Sequence, residues 1–303
     1  MRLASPTHAV IGCTDLAVSL EFVHRFGFTR VERGVLPVAA ARALYGLDTE
    51  LDEAVARVPG AERGWLRLVA TPEPARKVGA LDNRAFAIDL FSTDLAASLE
   101  IAATGGWPTT PVATHEFGPL VIREVETYGP DELILTLLET TARKPTVLDR
   151  DHRRLHSELH ALVWSVQDAD RHLAFWQQEA GLAKVTDAVL GGEQLGATLG
   201  LGEGRSVQAR LIVLCDEAER PARFELIEFL GESAADHPTW PLAAGLHAGA
   251  FHVDDLETAL AGLPQARRGE IVAFDSALHP GARAVCAHSP GGICFELWQE
   301  GSG

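Results

Sequence analysis

The chain has 303 residues, a formal net charge of −16 and a hydrophobic fraction of 47%. The acidic balance argues against binding to nucleic acid and to anionic membrane surfaces, since both require a basic protein surface. The length predicts two domains, and the hydrophobic fraction is large enough for substantial cores. No apolar run approaches the roughly 18 residues that span a bilayer. The composition therefore favours a small molecule or a protein as the partner.

The four cysteines form no CxxC pair, which indicates a reducing compartment. The first residues lack the charged-then-apolar pattern of a secretory signal peptide. Together these features predict a cytoplasmic protein.

One pattern occurs four times along the chain: an apolar strand, an Asp near its end, an amphipathic helix and further short strands. An Asp at this point can accept hydrogen bonds from the first helical turn and complement the helix dipole. The four residues concerned are Asp15, Asp94, Asp168 and Asp255. The repeat predicts an α+β protein built from four βαβββ modules.

A charged stretch with no apolar period, residues 143–157, separates the second module from the third. It contains Pro145 and is predicted to be an interdomain linker. The predicted domains are therefore 1–142 and 158–303, with two modules each. In the third module, a glycine-rich stretch from Gly191 to Gly204 predicts a mobile loop over a cavity.

The C-terminal stretch has the pattern of a turn followed by a strand. Residues 289–292 (SPGG) have turn chemistry, and the next six residues alternate in polarity. Phe295 and Leu297 share one face, whereas Glu296 and Trp298 share the other. A carboxylate that points inward from the middle of a strand is costly unless a cation or hydrogen-bond donors meet it. Glu296 is therefore a candidate metal ligand.

Paired strand–helix–strand modules with Asp-Leu helix starts resemble the vicinal oxygen chelate superfamily, over nearly the whole chain. That superfamily includes glyoxalase I, the bleomycin-resistance proteins and the type I extradiol dioxygenases. The resemblance implies two half-barrel domains, each formed by two modules around a cavity. It also implies metal ligands that point inward from the first and last strands of each module.

The resemblance assigns ligand positions in the C-terminal domain to His160, Glu225, His247 and Glu296. Two neutral imidazoles and a carboxylate leave coordination positions open for a substrate with two adjacent oxygens. His160, His247 and Glu296 make the set used by the dioxygenases, and Glu225 adds the fourth ligand of bacterial glyoxalases. The implied cofactor is a divalent metal, with Fe(II) favoured over Mn, Co, Ni or Zn.

The matching positions of the N-terminal domain form no metal-binding set, so that domain is predicted to be structural or to shape the substrate pocket. Those positions hold His8, Arg67, Ala87 and Thr136.

The two candidate histidines share an unusual spacing. His160 and His247 each precede the Asp of the helix start by eight residues, whereas His8 keeps the family spacing of seven. A one-residue β-bulge before each helix would absorb the difference. The alternative register would turn Ala161 and Ala248 inward and abolish the site.

Residues 279–298 also resemble the extradiol dioxygenase signature, and His279 is the candidate acid–base residue. The sequence departs from that signature at Cys286 and Ser289, and it offers no second acid–base histidine near Arg205. The candidate substrate-binding residues are Trp164, His252, Cys286 and Trp298.

Three functions are compatible with these features. The leading hypothesis is a non-haem Fe(II) oxygenase that acts, with O₂, on a catechol-like or hydroxy-carbonyl small molecule. The second is an O₂-independent lyase, isomerase or hydrolase of the glyoxalase or epimerase type, which uses Ni, Co, Mn or Zn. The third is a metal-free protein that sequesters a drug or metabolite. Since four modules can complete both barrels within one chain, the oligomeric state stays open, and a homo-oligomer is compatible with the sequence.

Overall fold

The computed structural model describes residues 2–117, 119–202, 204–237, 239–275 and 281–301. Each of the four predicted modules begins with a largely buried strand and continues into a helix. The four predicted Asp residues accept hydrogen bonds from backbone N–H groups in the first turns of these helices. These bonds satisfy donors that a helix leaves without an internal partner. The predicted helix starts are confirmed.

The first two modules contain three helices and eight strands among the described residues. The first module consists of β1 (His8–Cys13), α1 (Leu16–Arg25), β2 (Arg30–Leu36), α2 (Val38–Tyr45), β3 (Leu51–Arg57) and β4 (Trp65–Ala70). The second consists of β5 (Arg84–Ser92), α3 (Leu95–Gly105), β6 (Ala113–Phe117), β7 (Leu120–Tyr128) and β8 (Ile134–Thr140).

The last two modules repeat the pattern. The third consists of β9 (His156–Ser165), α4 (Ala169–Gln178), β10 (Ala183–Gly192), α5 (Glu193–Thr198), β11 (Val207–Cys215) and β12 (Arg223–Phe229). The fourth consists of β13 (Gly245–His252), α6 (Leu256–Ala261), β14 (Arg267–Arg268), β15 (Val272–Phe274), β16 (Ala282–His288) and β17 (Cys294–Gln299).

Within the described residues, the strands form two curved sheets, which we call the first and the second barrel. The first barrel has nine strands in the order β14-β16-β17-β13-β1-β4-β3-β2, with β15 also paired to β16. The second has eight strands in the order β10-β11-β12-β9-β5-β8-β7-β6. The fold class predicted from the sequence, an α+β protein with two half-barrels, is confirmed.

The way in which modules combine differs from the prediction. The sequence suggested that neighbouring modules share a barrel, but the first barrel joins modules one and four and the second joins modules two and three. The first strand of each module has an open edge that must pair with another first strand. Antiparallel pairing of β1 with β13 and of β5 with β9 closes these edges. Either combination satisfies the backbone, so the repeat pattern alone could not distinguish them.

The predicted linker is partly ordered within the core. Val147 and Leu148 are buried in a short 3₁₀ turn, and Thr146 caps that turn. His156 is already part of β9, and its Nε2 lies 2.9 Å from Ser98 Oγ. The linker therefore packs between modules instead of spanning solvent.

The two barrels are filled in different ways. The largest core lies between the sheets and helices α1 and α4, and includes Phe22 and Trp176. A second core fills the first barrel, where α2 inserts Leu44 and Tyr45 beneath the strands. In the second barrel a smaller core under α5 occupies only part of the interior. The predicted glycine-rich loop thus contains a helix, and the rest of the second barrel is open to a ligand.

No helix in the described part of the chain is long and apolar enough to cross a bilayer.

The junction between β1 and β13 supplies the first prediction. A Cβ atom at Gly12 would lie 2.2 Å from the backbone oxygen of Ala243, which cannot move independently of the chain. We therefore expect Gly12→Ala to lower the free energy of unfolding by about 1–3 kcal/mol in urea titrations, through overpacking. Gly202→Ala is the matched control, because a Cβ there meets nothing within 4 Å. Equal stability of the two variants would contradict close packing at this junction.

Candidate active site in the second barrel

The interior of the first barrel is organised around a buried arginine. Arg67 on β4 donates hydrogen bonds to Glu53 Oε2 from Nε at 2.8 Å and from Nη2 at 2.6 Å. Its Nη1 donates to Tyr45 Oη at 2.6 Å and to Glu296 Oε2 at 3.3 Å. Trp298 Nε1 donates to the same Glu296 oxygen at 2.7 Å. The cation that meets Glu296 is therefore a guanidinium of the protein itself.

The charges in this network depend on one another. Burial alone would lower the pKa of Arg67, but Glu53, Tyr45 and Glu296 together raise it. Burial raises the pKa of Glu296, and Arg67 opposes that rise. Since a buried charge is costly unless it is paired, removal of one partner would leave the others uncompensated. Any metal ion at Glu296 would have to displace Arg67.

The predicted β-bulges are present in both barrels. In the β1–β13 pair, Ile11 aligns with Leu246 and Val10 with Ala248, so that His247 is the extra residue. In the β5–β9 pair, the register passes from Ala161 to Leu159, so that His160 is the extra residue. The bulge allows the His and the following Ala to approach the same interior, because an extra residue locally breaks the alternation of faces. The predicted bulge is confirmed. Because of it, the histidine and the following alanine can both approach the interior, although these two orientations were expected to be alternatives.

The second barrel brings polar residues of four adjacent strands together. From β12 to β8 these are Glu225, His160, Asp89 and Thr136. Asp89 aligns with Ala161 on one side and with Thr136 on the other. The ring of His160 packs on Phe91 with centroids 4.0 Å apart. These residues form the polar floor of the second barrel.

Two residues of the polar floor are acids whose pKa values are raised. Burial raises the pKa of Asp89 well above its ordinary value, and the nearby Glu225 carboxylate adds to the rise. Burial raises the pKa of Glu225 to about 7 although Arg223 opposes it. Burial, with a contribution from Arg223, lowers the pKa of His160 to about 3, so that its imidazole is neutral. A neutral imidazole beside two acidic groups is a donor set for a divalent cation.

A cavity of about 730 Å³ opens above this floor. Its walls are largely apolar and include Leu120, Ile122, Leu190, Leu211 and Val213. This volume lies in the range of about 300–1,000 Å³ typical of small-molecule sites. The second barrel therefore has the shape and the polar groups of a ligand site, whereas the first is packed.

The predicted ligand set is divided between the barrels. His160 and Glu225 lie in the second barrel, whereas His247 and Glu296 lie in the first. His160, His247 and Glu296 consequently do not converge on one ion, which corrects the expectation of a single site formed by modules three and four. The resemblance gave the correct strand positions, and the combination of modules decided which positions meet.

The other predicted site residues are dispersed. Trp164 lies in the core between the sheets, stacked on Phe224 at 4.5 Å, so its predicted inward orientation is wrong. Trp298 and Cys286 face the filled interior of the first barrel. His252 lies at the end of β13, where Nδ1 is 3.5 Å from Glu300 Oε1. The predicted catalytic residue, His279, lies outside the described residues.

Four polar residues that the proposed site uses were missed in the sequence. They are Asp89, His115, Glu124 and Arg223, and all of them line the cavity. Strand alternation could have found two of them: Asp89 is two residues from Ala87 on the same face, and Arg223 is two residues from Glu225. The family spacing assigns the ligand position of this strand to Ala87, whereas its acidic residue, Asp89, lies two positions later.

The two barrels differ in how well they fit the divalent metal that the fold implies. The first does not fit it, because Arg67 pairs with Glu296. In the second, His160, Asp89 and Glu225 have suitable donor chemistry, and Arg223 is a cation that lowers the pKa values of His160 and Glu225. Within the described chain, three donors mutually within 4.8 Å occur only elsewhere, at Cys286, His288 and Cys294. The second-barrel donors would therefore have to converge around an ion.

Comparison with known proteins supports the fold. No protein-family model matches the chain, and no curated protein matches its sequence. Glyoxalase I from Zea mays matches with a TM-score of 0.62 at 13% identity, covering 97% of this chain and 92% of that chain. A "putative dioxygenase" from Bacillus subtilis matches with a TM-score of 0.63 at 12% identity, covering 100% of this chain and 87% of that chain. The chain has the vicinal oxygen chelate fold.

The buried network of the first barrel can be tested by removing its cation. Arg67→Met leaves Glu53 and Glu296 without a charged partner, and we expect the free energy of unfolding to fall by about 3–5 kcal/mol. Arg123→Met removes an exposed ion pair with Glu139 and should cost no more than about 1 kcal/mol. Urea titrations of both variants give the comparison. A loss at Arg67 as small as that at Arg123 would show that the network does not stabilise the barrel.

The raised pKa of Glu225 in the polar floor predicts how the stability of the metal-free protein depends on pH. The pKa of Glu225 is about 7 in the fold against an ordinary value of 4.5. The unfolded chain therefore loses this proton first, so stability falls as the pH rises from 4.5 to 7 and then levels off. Glu225→Gln should raise stability at pH 8 by up to about 3 kcal/mol and leave it unchanged at pH 4. Glu100→Gln, at an exposed position on α3, should change neither value.

Proposed function

We propose that the chain is a metal-dependent enzyme of the vicinal oxygen chelate type, with its active site in the second barrel. The observation that carries the proposal is that a neutral His160 and the acidic Asp89 and Glu225 line one apolar-walled cavity of about 730 Å³. Buried acids with raised pKa values in a cleft are typical of functional sites. The reaction class that we favour is O₂-independent proton transfer on a small oxygen-containing substrate.

His160, Asp89 and Glu225 would hold the ion. They lie on three adjacent strands, β9, β5 and β12, so a rigid sheet fixes their backbone positions. A mixed imidazole and carboxylate set suits Mn, Fe(II), Co, Ni or Zn. When bound, such an ion polarises substrate oxygens as a Lewis acid. It would also balance the negative charge of the Asp89 and Glu225 carboxylates.

Glu124 and His115 supply a separate proton-transfer pair. His115 Nε2 lies 2.9 Å from Glu124 Oε1, and both residues line the cavity. The hydrogen bond to Glu124 raises the pKa of His115, which favours the protonated imidazole. A carboxylate that is fixed by a histidine is suited to remove a proton from a bound substrate.

The cavity favours a small amphipathic anion. Its walls are apolar, and Arg223 projects from the β12 edge of the floor. Arg223 Nη2 is buried and has no hydrogen-bond partner among the described residues. Arg143 and Lys144 also line the cavity, where Arg143 pairs with Asp149 and Lys144 with Glu219. A carboxylate or enolate oxygen would give Arg223 a partner, and the apolar part of the ligand would contact the walls.

The oxygenase hypothesis has less support than proton transfer. It required two histidines and one carboxylate at a single iron, and the histidines of that set lie in different barrels. The second barrel offers one histidine with several carboxyl groups instead. The metal-free sequestering protein is the remaining rival, since it needs the cavity but not the ligands.

Metal binding tests the proposal directly. Mn²⁺ should bind metal-free protein with one high-affinity site by electron paramagnetic resonance titration. His160→Ala and Asp89→Asn should each weaken that site at least about tenfold, because each removes a ligand. His252→Ala is the control, because His252 lies in the first barrel, and it should bind Mn²⁺ normally.

Turnover separates the rival functions. We expect Mn²⁺-loaded protein to catalyse exchange of a substrate C–H proton with D₂O, measured by ¹H NMR over a panel of hydroxy-ketones and 2-oxo acids, without uptake of O₂. Glu124→Gln should lower the exchange rate by about 10²–10⁴-fold while Mn²⁺ affinity is retained. Iron-dependent O₂ uptake would instead favour the oxygenase, and ligand binding unaffected by His160→Ala would favour the sequestering protein.

A further inference from the structure

A second cluster of side chains that can bind a metal lies in the first barrel, whereas the polar floor lies in the second. Cys286 on β16 and Cys294 on β17 have their Sγ atoms 3.2 Å apart. His288 adds a third donor, and the ligand atoms of all three lie within 4.8 Å of one another. Both cysteines are buried, and no disulfide joins them. Two thiols and an imidazole at this spacing are the donors of a thiolate metal site.

His247 provides a fourth donor. Its Nε2 lies 3.6 Å from Cys294 Sγ. The β-bulge in β13 makes His247 the extra residue of that strand, which allows its ring to approach β17. The ring packs edge-on against Tyr45, with centroids 5.6 Å apart. The bulge that the family spacing predicted thus brings this histidine to a different set of donors.

The separations agree with a tetrahedral ion. With metal–sulfur bonds of about 2.3 Å and metal–nitrogen bonds of about 2.05 Å, a tetrahedron places sulfur and nitrogen about 3.6 Å apart and two sulfurs about 3.8 Å apart. The observed Cys294–His247 distance of 3.6 Å matches the first value. The Cys286–Cys294 distance of 3.2 Å is shorter by an amount that side-chain rotation can supply.

His288 has no competing role in the described structure. Its Nε2 is buried without a hydrogen-bond partner among the described residues. Its ring packs edge-on against Trp240, with centroids 6.0 Å apart. A buried nitrogen without a partner is costly, and a bound ion would remove that cost. His247 also lines a small cavity of about 70 Å³ beside Thr239 and Ala244.

We propose that Cys286, Cys294, His247 and His288 form a zinc site that stabilises the first barrel. Thiolate and imidazole donors select Zn²⁺ over Mn²⁺ or Mg²⁺, which prefer oxygen ligands. Four protein ligands in a buried position leave no coordination site for a substrate, as in structural zinc sites. The site joins β13, β16 and β17, three adjacent strands of module four, of which β13 pairs with β1. It is separate from the proposed active site in the second barrel.

Zinc binding by the full-length chain tests this site. Protein that carries His160→Ala, which removes a ligand of the proposed second-barrel site, should take up one Zn²⁺ by mass spectrometry of metals after reduction with a phosphine and stripping with a chelator. Co²⁺ in its place should give the sulfur-to-cobalt charge-transfer band and the intense visible bands of a tetrahedral thiolate site. Cys294→Ser and His288→Asn should each weaken Zn²⁺ binding, by more than about 100-fold for the cysteine, because a thiolate ligand is lost.

The matched control is Cys215→Ser, which removes a buried cysteine of the second barrel and should bind Zn²⁺ normally. His160→Ala should likewise retain the zinc, which separates this site from the polar floor. Circular dichroism establishes that each variant is folded, and His288→Asn serves if the cysteine variant is not. Failure of reduced protein to bind Zn²⁺, unchanged affinity in both variants, or a Cys286–Cys294 disulfide in protein isolated without reductant would overturn the proposal.

Discussion

Everything in this molecule depends on how the first strands of the modules pair. Each module has an open edge at its first strand, and unpaired backbone groups there are unstable and prone to association. The chain closes the edges by joining β1 to β13 and β5 to β9. This pairing decides which inward-facing residues share an interior. It places Glu296 beside Arg67 and Glu225 near Asp89. Glu296 and Glu225 nevertheless occupy equivalent positions, each on the last strand of its own module.

The two barrels show opposite solutions to the burial of carboxylates. In the first, Arg67 supplies a permanent cation, and α2 fills the remaining space with Leu44 and Tyr45. In the second, Arg223 opposes the effect of burial on Glu225, but burial still raises the pKa of Glu225 to about 7. A buried acid without a full counter-charge lowers stability at neutral pH. Proteins retain such groups where function requires them, which is why the second barrel is the better candidate for an active site.

The β-bulges connect the fold to both proposals. The bulge at His160 places its imidazole in the polar floor of the second barrel. The bulge at His247 allows its imidazole to approach Cys294 in the first barrel. A regular strand would have pointed either the histidine or the neighbouring alanine inward, but not both. One local irregularity, repeated in two modules, thus provides a candidate ligand for the metal ion proposed in the second barrel and another for the zinc ion proposed in the first.

The sequence by itself determined the modules, the four Asp caps, the bulges and the strand positions of His160, Glu225, His247 and Glu296. These features are local: capping, alternation and spacing act within a few residues. Only the tertiary structure decided that His160 and His247 lie apart, that Arg67 meets Glu296 and that Asp89 joins the second site. Those outcomes depend on which module pairs with which, and on a helix that fills one barrel and leaves the other open. No local pattern carries that information, because either pairing satisfies the same backbone hydrogen bonds.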